Sequence, residues 1–227
     1  LGFAWSILNP LLMMIVMSVV FSTIFRSDIK NFPMYLITGQ VIFSFFSEAT
    51  NSAMMSIIGN GGLIKKVYIH KYIFPLSKVM FSFANMIFSL VAVVIVAIAT
   101  KLPITPAILL FPLPLIYVFL FSLGIGLLLA SYAVFFRDLL HLYGIILLIW
   151  TYLTPIFYPI TILPPNIRLL LKFNPLYVFI SNFREIVLYG NVPSLFSNLL
   201  CIAYAILALI IGTLAFRRTK DKFIFYI

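Results

Sequence analysis

The residues that could carry acid–base or metal chemistry are few and scattered along the chain. Five carboxylates and two histidines occur in 227 residues. No two carboxylates have the i, i+3 or i, i+4 spacing that places side chains on one helical face. The histidines, His70 and His141, also lack the spacing of a zinc site. We therefore predict no catalytic centre and no metal site in this sequence.

A nucleotide-binding loop is likewise not found. No stretch has the form GxxxxGK[ST], whose backbone cradles phosphates, and the GNGG run at residues 59–62 is typical of a helix break. We expect the chain not to hydrolyse ATP itself. Any pumping would then draw its energy from a partner or from an ion gradient.

Glu48 is the single charge inside a long apolar run. Ionisable residues at such positions pair locally, face a wet cavity or serve a permeation path. All of these interpretations stay open, as does a lipid-facing position that would mean the span is misplaced.

Composition defines the class of protein. Hydrophobic residues make up 64% of the chain and charged residues 9%, with a mean hydropathy of +1.20. A soluble domain carries about 25% charged residues, and a disordered one has low hydrophobicity, so both classes are excluded. The net charge of +10 is explained by loop lysines and arginines facing anionic headgroups rather than by nucleic acid. The single cysteine, Cys201, cannot form an internal disulfide.

The charges and prolines divide the sequence into one all-α polytopic membrane domain, residues 1–227. Each spanning helix needs about 20 apolar residues, and six transmembrane helices are predicted at residues 3–25, 32–58, 79–99, 109–135, 140–158 and 194–216. Residues 159–193 are interrupted by Pro159, Pro164, Pro165 and Pro175 and by four charged residues. We therefore predict a short helical hairpin there, with helices at about residues 166–173 and 176–188, between spans 5 and 6.

Orientation follows from the distribution of basic residues. With six spans, both termini share a side with the lysine-rich loop at residues 65–78 and the turn at Arg137, and that side carries nine of the fifteen lysines and arginines. The richer side is predicted to be cytoplasmic. The hairpin at residues 159–193 is then extracytoplasmic.

Several motifs resemble those of the permeases of ABC-2 type polysaccharide exporters, which export O-antigen, capsule or teichoic acid chains. The opening LGFAWSILNP at residues 1–10 is similar to their LG-x-x-W-x-x-L-x-P pattern, and FFRD at residues 135–138 looks like their turn after span 4. TPIFY at residues 154–158, LPP at 163–165 and NPL at 174–176 look like their TPI-x-Y, LPP and NP region. Together these matches extend over nearly the whole chain.

The resemblance implies a homodimer of six-span subunits with two separate ATP-hydrolysing subunits on the cytoplasmic side. ATP and Mg²⁺ would be bound by those partners, with no cofactor in this chain. The hairpin would correspond to the short gate helices of the family. An amphipathic interface helix precedes span 1 in such permeases, and we expect it to be missing from this sequence.

The loop at residues 61–75 is the predicted coupling element. Residues 63–72 can form a short amphipathic helix that a soluble partner grips through acidic groups. The alternative is a basic loop that binds lipid headgroups. The candidate residues are Leu63, Ile64, Lys65, Lys66, Tyr68, His70 and Lys71.

Arg137 and Asp138 follow span 4 directly. They are interpreted either as a charge stop with an ion pair that holds the turn, or as a partner contact or cytoplasmic gate. Within span 4, small residues would allow close helix contact. These are Gly124 and Gly126 with Ser122, Ala130 and Ser131.

Aromatic residues make up 17% of the chain. Flat rings can stack on the apolar faces of sugars, and tyrosine adds a hydroxyl at a wet edge. The alternative for each ring is a lipid-facing or interfacial position. The candidates for a substrate path are Phe43, Phe45, Phe46, Trp150, Tyr152, Phe157, Tyr158 and Tyr177.

The sequence as a whole indicates a permease subunit without its own ATPase site, in the cytoplasmic membrane of a bacterium, with both termini in the cytoplasm. It would export a lipid-linked polysaccharide or teichoic-acid-like polymer to the cell envelope. Its partners would be an ABC ATPase subunit, a second copy of itself and membrane lipid, and no nucleic acid.

Three other functions remain as alternatives. The first is an ABC-2 permease for drugs or lipids, and the second is a secondary transporter or channel that depends on Glu48. The third is a membrane glycosyltransferase, which the lack of clustered carboxylates disfavours.

Overall fold

The computed structural model describes residues 2–24, 31–103 and 105–226, and within these ranges the secondary structure is entirely helical. The α-helices are α1 (Gly2–Ile24), α2 (Phe32–Gly59), α3 (Gly61–Lys66), α4 (Ile73–Ala99), α5 (Pro112–Ala133), α6 (Leu139–Leu153), α7 (Pro165–Leu171), α8 (Pro175–Val187) and α9 (Leu195–Thr219). Short 3₁₀ segments lie at Pro106–Leu110, Ile160–Ile162 and Lys220–Phe225. The predicted all-α class is confirmed.

Four helical segments of the described chain are long and apolar enough to cross a membrane, judged by length and composition: Phe32–Gly59, Ile73–Ala99, Pro106–Ala133 and Leu195–Phe225. The apolar stretches Ala4–Val20 and Leu139–Leu153 are shorter. The chain is therefore a multi-pass membrane protein. The count of six spans stays a prediction.

The predicted fifth span at residues 140–158 is wrong at its C-terminal end, because α6 stops at Leu153. Thr154 precedes Pro155 and has extended backbone angles, φ −93° and ψ 128°, since a proline disfavours the helical conformation of the residue before it. Helix α6 has 15 residues, about 22 Å at 1.5 Å per residue, and so is shorter than the roughly 30 Å hydrocarbon core.

Helix α2 lies at the centre of the bundle. Most of its side chains are buried, and it packs against α1, α4, α5 and α8. Phe46 lies fully buried with its ring centroid 5.6 Å from that of Phe121 on α5, and Phe45 contacts Phe83 on α4 at 5.8 Å. Helices α1, α4, α5 and α8 are therefore positioned by contact with α2, whereas α9 packs against α5 and α8.

The closest helix contact joins α5 to α9. A Cβ atom added at Gly124 would overlap the backbone of Ala208, and one added at Gly212 would overlap the carbonyl of Gly124. Small residues let helix backbones approach this closely. The close contact expected from the small residues of span 4 is therefore present, with α9 as its partner.

Two short helices, α7 and α8, lie in the chain between α6 and α9, close to the predicted ranges 166–173 and 176–188. Their arrangement as an extracytoplasmic hairpin stays a prediction. Helix α8 begins at the Asn174–Pro175 step, where the Asn174 side chain accepts a hydrogen bond from the Leu176 N–H at 3.1 Å. It packs against α2, α5 and α9, and most of its residues are buried. Such burial places α8 inside the bundle rather than on its surface.

Candidate functional site

The predicted coupling segment is a short helix followed by extended chain, here called the basic loop (residues 61–72). The helix predicted over residues 63–72 is wrong beyond Lys66, where α3 ends and Val67 adopts extended angles, φ −129° and ψ 135°. The sequence VYI follows at residues 67–69. Branched and aromatic side chains of this kind favour extended backbone.

One side of the basic loop is anchored and the other is open. Ile64 is 8% exposed and packs in a cluster with Leu127, Phe216 and Phe223. Leu63, Lys65, Lys66 and His70 are exposed, and Tyr68 is 95% exposed. The exposed side of the loop therefore includes Lys65, Lys66 and Tyr68.

Lys71 connects the basic loop to the C-terminal end of the chain. Its Nζ atom donates a hydrogen bond to the carbonyl oxygen of Lys220 at 2.6 Å and lies 5.9 Å from the ring centroid of Phe223. The Lys220–Phe225 segment follows directly after α9. The basic loop and the basic C-terminal segment thus lie at the same end of the bundle.

The turn that carries Arg137 and Asp138 lies at this end too. Both side chains are exposed. The preceding Phe135 ring packs 4.8 Å from Tyr226 and 6.1 Å from Phe223, measured between centroids. The C-terminal segment therefore contacts both the basic loop and this turn.

A buried arginine organises the other end. Arg184 of α8 is 4% exposed. Its guanidinium donates to the Tyr35 carbonyl at 2.8 and 3.2 Å, to the Pro155 carbonyl at 2.8 Å and to the Ile156 carbonyl at 3.2 Å. We call this arrangement the Arg184 clamp, because it joins α8, the start of α2 and the loop after α6.

Tyr35 completes the Arg184 clamp. Its ring centroid lies 3.4 Å from the guanidinium carbon of Arg184, in a cation–π contact. Its hydroxyl donates to the carbonyls of Pro155 at 3.1 Å and Tyr158 at 3.0 Å. Burial lowers the pKa of Arg184, and the neighbouring tyrosine Tyr35 opposes that shift. An arginine remains charged under such conditions because its ordinary pKa exceeds 12.

Asn174 links the same loop to α6 and α8. Its Oδ1 accepts from the Trp150 indole at 2.9 Å, and its Nδ2 donates to the Thr154 hydroxyl at 3.0 Å. The Thr154 hydroxyl donates to the Trp150 carbonyl at 2.8 Å. The TPIFY and NPL motifs are therefore joined to each other by a side-chain hydrogen bond.

Sequence reasoning did not select Arg184, Tyr35 or Asn174 as site residues. For Asn174 a signal exists, since Asn before Pro at the start of a helix is a typical N-cap. For the other two none exists, because their partners are backbone carbonyls of segments distant in the sequence.

The candidate path aromatics occupy two kinds of position. Phe43, Phe45 and Phe46 are buried within the chain, and Trp150 contacts Phe46 with ring centroids 5.2 Å apart. Tyr152 is 65% exposed. The remaining candidates, Phe157, Tyr158 and Tyr177, are half-buried near the Arg184 clamp.

The Tyr158 side chain also belongs to the loop after α6. Its hydroxyl donates to the Tyr152 carbonyl at 2.8 Å, and burial raises the pKa of Tyr158. The ring therefore stays neutral and holds the loop against the end of α6.

Glu48 lies on an exposed stripe of α2 and faces α4. Its Oε1 accepts hydrogen bonds from the Asn85 amide at 3.1 Å and the Ser82 hydroxyl at 3.2 Å. These groups line a cleft of about 250 Å³ between α1, α2 and α4.

These helices and motifs define a class of protein. The chain belongs to the ABC-2 type transporter family, whose model matches residues 1–188. The resemblance drawn from the sequence motifs is confirmed.

Particular relatives extend the match to nearly the whole chain. The O-antigen export system permease protein RfbA of Klebsiella pneumoniae is 29% identical over 225 residues, which cover 98% of this chain and 86% of the relative. A second protein of that name from Klebsiella pneumoniae is 27% identical over 226 residues, and one from Myxococcus xanthus is 28% identical over 225 residues, with the same coverage.

Proposed function

We propose that this chain is the membrane permease subunit of an ATP-driven exporter that moves a lipid-linked polysaccharide across the cytoplasmic membrane of a bacterium. The observation that carries the proposal is the full-length similarity to O-antigen export permeases. The all-helical architecture and the meeting of the basic segments at one end support it.

Orientation is proposed from the charges. The end formed by the basic loop, the turn at Arg137 and the segment Lys220–Phe225 carries the exposed lysines and arginines that the cytoplasmic side attracts. Both termini would then be cytoplasmic. The Arg184 clamp, with α7 and α8, would lie toward the outside, as a gate built from two short helices.

Energy would come from an ABC ATPase subunit that binds ATP and Mg²⁺. The exposed side of the basic loop, with Lys65, Lys66 and Tyr68, is the surface we assign to that partner, because opposite charges steer and orient docking. Movement of this loop would pass to α2 and α4, since it connects them directly. A second copy of the chain would complete the passage.

Deletion of the gene in the host tests the proposal. We expect polymer to accumulate in the cytoplasm and to disappear from the cell surface, and a plasmid copy to restore export. An affinity-tagged chain should copurify with an ATPase subunit. Normal surface polymer in the deletion strain would contradict the proposal. Increased sensitivity to drugs without polymer accumulation would assign the chain to the drug- or lipid-exporting branch of the family.

A further inference from the structure

Polar side chains form matching stripes on helices that are otherwise apolar. On α2, Gln40, Ser44 and Glu48 are spaced four residues apart, and on α4, Ser82, Asn85 and Ser89 are three and four residues apart. Such spacing places each set on one helical face. Both stripes line the same cleft of about 250 Å³.

Helix α1 closes the cleft with its own polar positions. Ser6 and Asn9, three residues apart, both line it. The Ser89 hydroxyl donates to the Ser6 carbonyl at 2.8 Å and so joins α1 to α4. The described cleft is thus a polar surface shared by three helices.

The depth of the cleft decides what can occupy it. Glu48 lies eleven residues before the end of α2 at Gly59, about 16 Å at 1.5 Å per residue, which is near the middle of a roughly 30 Å hydrocarbon core. A carboxylate exposed to lipid at that depth is strongly disfavoured. We therefore expect water or a polar ligand to fill the cleft.

The hydrogen-bonding groups of the cleft are incompletely used. Glu48 accepts from Ser82 and Asn85 through Oε1 alone. The Oε1 atom of Gln40 is buried and has no hydrogen-bond partner within the described part of the chain. Glu48 is exposed, so a ligand hydroxyl in the cleft can donate to its carboxyl group. The enclosed Gln40 oxygen is not accessible to such a ligand.

Trp5 supplies a flat apolar surface beside these groups. Its side chain lines the cleft and is 60% exposed. An aromatic ring next to carboxylate and amide groups matches a sugar, which offers an apolar C–H face and a rim of hydroxyl donors. We propose that this cleft is a binding subsite for a neutral sugar unit, with Trp5 as the stacking platform and Glu48 and Asn85 as hydroxyl partners.

Charge restricts the class of ligand. No lysine, arginine or histidine is among the described residues that line the cleft, and Glu48 places a carboxyl group there. A phosphate group would find no cationic partner, so the subsite selects neutral sugars over polyol-phosphate units. This inference rests on the proposed function, since it names the part of the polymer that the permease holds.

Cysteine labelling tests whether the cleft is wet and holds polymer. In a Cys201→Ser background, Ser44→Cys and Asn9→Cys should react in intact membranes with a charged methanethiosulfonate reagent. Controls at Ile15 and Ile87, exposed apolar positions on α1 and α4, should not react. With export stalled by an ATPase-inactive partner, labelling at Ser44 should slow about tenfold, equivalent to 1.4 kcal/mol of protection. Unreactive cleft cysteines, or labelling that polymer leaves unchanged, would overturn the subsite.

Export measurements test its chemistry. Glu48→Ala and Trp5→Ala should each lower surface polymer about tenfold at unchanged protein level, while Ile87→Ala leaves it unchanged. Glu48→Gln keeps the hydrogen-bonding shape and should retain most export. Normal export by the alanine variants would overturn the subsite, and abolished transport in Glu48→Gln would replace it with an ion-coupling role.

The readouts separate the two proposals. If the deletion strain exports polymer normally, the proposed function fails. If export requires the chain but the cleft variants are normal, only the subsite fails.

Discussion

Arg184 and Tyr35 lie 149 positions apart and form a single unit in which the guanidinium stacks on the phenol ring and donates to the same residue's carbonyl. Both side chains also bond to the Pro155 carbonyl. The Arg184 guanidinium and the Tyr35 hydroxyl thereby hold three elements together: the start of α2, helix α8, and the loop that follows α6. Any opening of the helix bundle at this end must either break the Arg184 clamp or move all three elements together.

Arg184→Ala should destabilise the folded protein by about 2–4 kcal/mol, because hydrogen bonds to a charged group contribute roughly 1.5–3 kcal/mol each. Thermal unfolding of the purified protein in lipid nanodiscs measures this loss. Arg218→Ala, an exposed arginine at the end of α9, is the matched control and should change little. Equal unfolding temperatures for the two variants would contradict the structural role of the clamp.

Asn174→Ala should cost more than the loss of a helix cap. Ser194 caps α9 in the same way, accepting from the Ser197 N–H at 3.2 Å, so Ser194→Ala should cost about 1 kcal/mol. Asn174→Ala also removes the bonds to Trp150 and Thr154 and should cost about 2–3 kcal/mol, since each such bond contributes roughly 1 kcal/mol. Denaturant titration of both variants compares them. Similar losses would mean that the joint between the two motifs contributes nothing.

Gly124→Ala should destabilise the chain by about 2 kcal/mol or more, because the added methyl meets backbone rather than a movable side chain. Gly144→Ala on α6 is the control, since a Cβ atom there meets nothing within 4 Å. Alanine is the better helix former by about 0.8–1 kcal/mol, so Gly144→Ala should be neutral or stabilising. The yield and melting temperature of each variant provide the measurement. Tolerance of Gly124→Ala would be incompatible with the contact described here.

Alanine substitution should lower stability at a buried aromatic residue and leave it nearly unchanged at an exposed one. Phe46→Ala removes a fully buried ring and should cost about 3–5 kcal/mol of stability. Tyr152→Ala removes an exposed one and should leave stability within about 0.5 kcal/mol. If Tyr152 contacts the moving polymer, its loss should lower surface polymer at constant protein level. Unchanged export by Tyr152→Ala would remove that residue from the path.

Charge reversal in the basic loop should uncouple export by the permease from ATP hydrolysis by the partner ATPase. The double variant Lys65→Glu with Lys66→Glu should remain in the membrane and lose export, while the copurified ATPase still hydrolyses ATP. Lys172→Glu, an exposed lysine beside α7, is the control for charge reversal elsewhere. Surface polymer and ATP turnover are measured together. Normal export by the double variant would exclude the coupling role.

Most boundaries of the long helices could be predicted from the sequence, because charges and glycines end apolar runs where a membrane would. The start predicted at residue 79 is wrong, because α4 begins at Ile73 and continues through Lys78. Helix α2 was predicted at residues 32–58 and lies at Phe32–Gly59. Helix α6 was predicted too long, since the apolar run continues past the point where Pro155 ends the helix. The helix predicted over residues 63–72 is too long. Its amphipathic spacing favours a helix, but Val67 and Tyr68 favour extended backbone, and α3 ends at Lys66.

The site residues could be predicted only where chemistry is local. Exposed lysines in a loop are visible as a cluster in the sequence. Glu48 could be selected from the sequence as a charge within an apolar run. Its partners Ser82 and Asn85 could not, because they lie on another helix. Arg184 could be recognised only as a charge that interrupts an apolar run. Its hydrogen-bond partners are backbone carbonyls, which every residue has, so the sequence does not identify them.

The glycine contact between α5 and α9 has a mechanical consequence. Two rods whose backbones touch at Gly124 and Gly212 cannot slide or rotate past each other without steric overlap. During a transport cycle α5 and α9 must therefore move together as one rigid body. A displacement at the lysine-rich end would therefore move both helices together, and a change of shape must come from the elements around them.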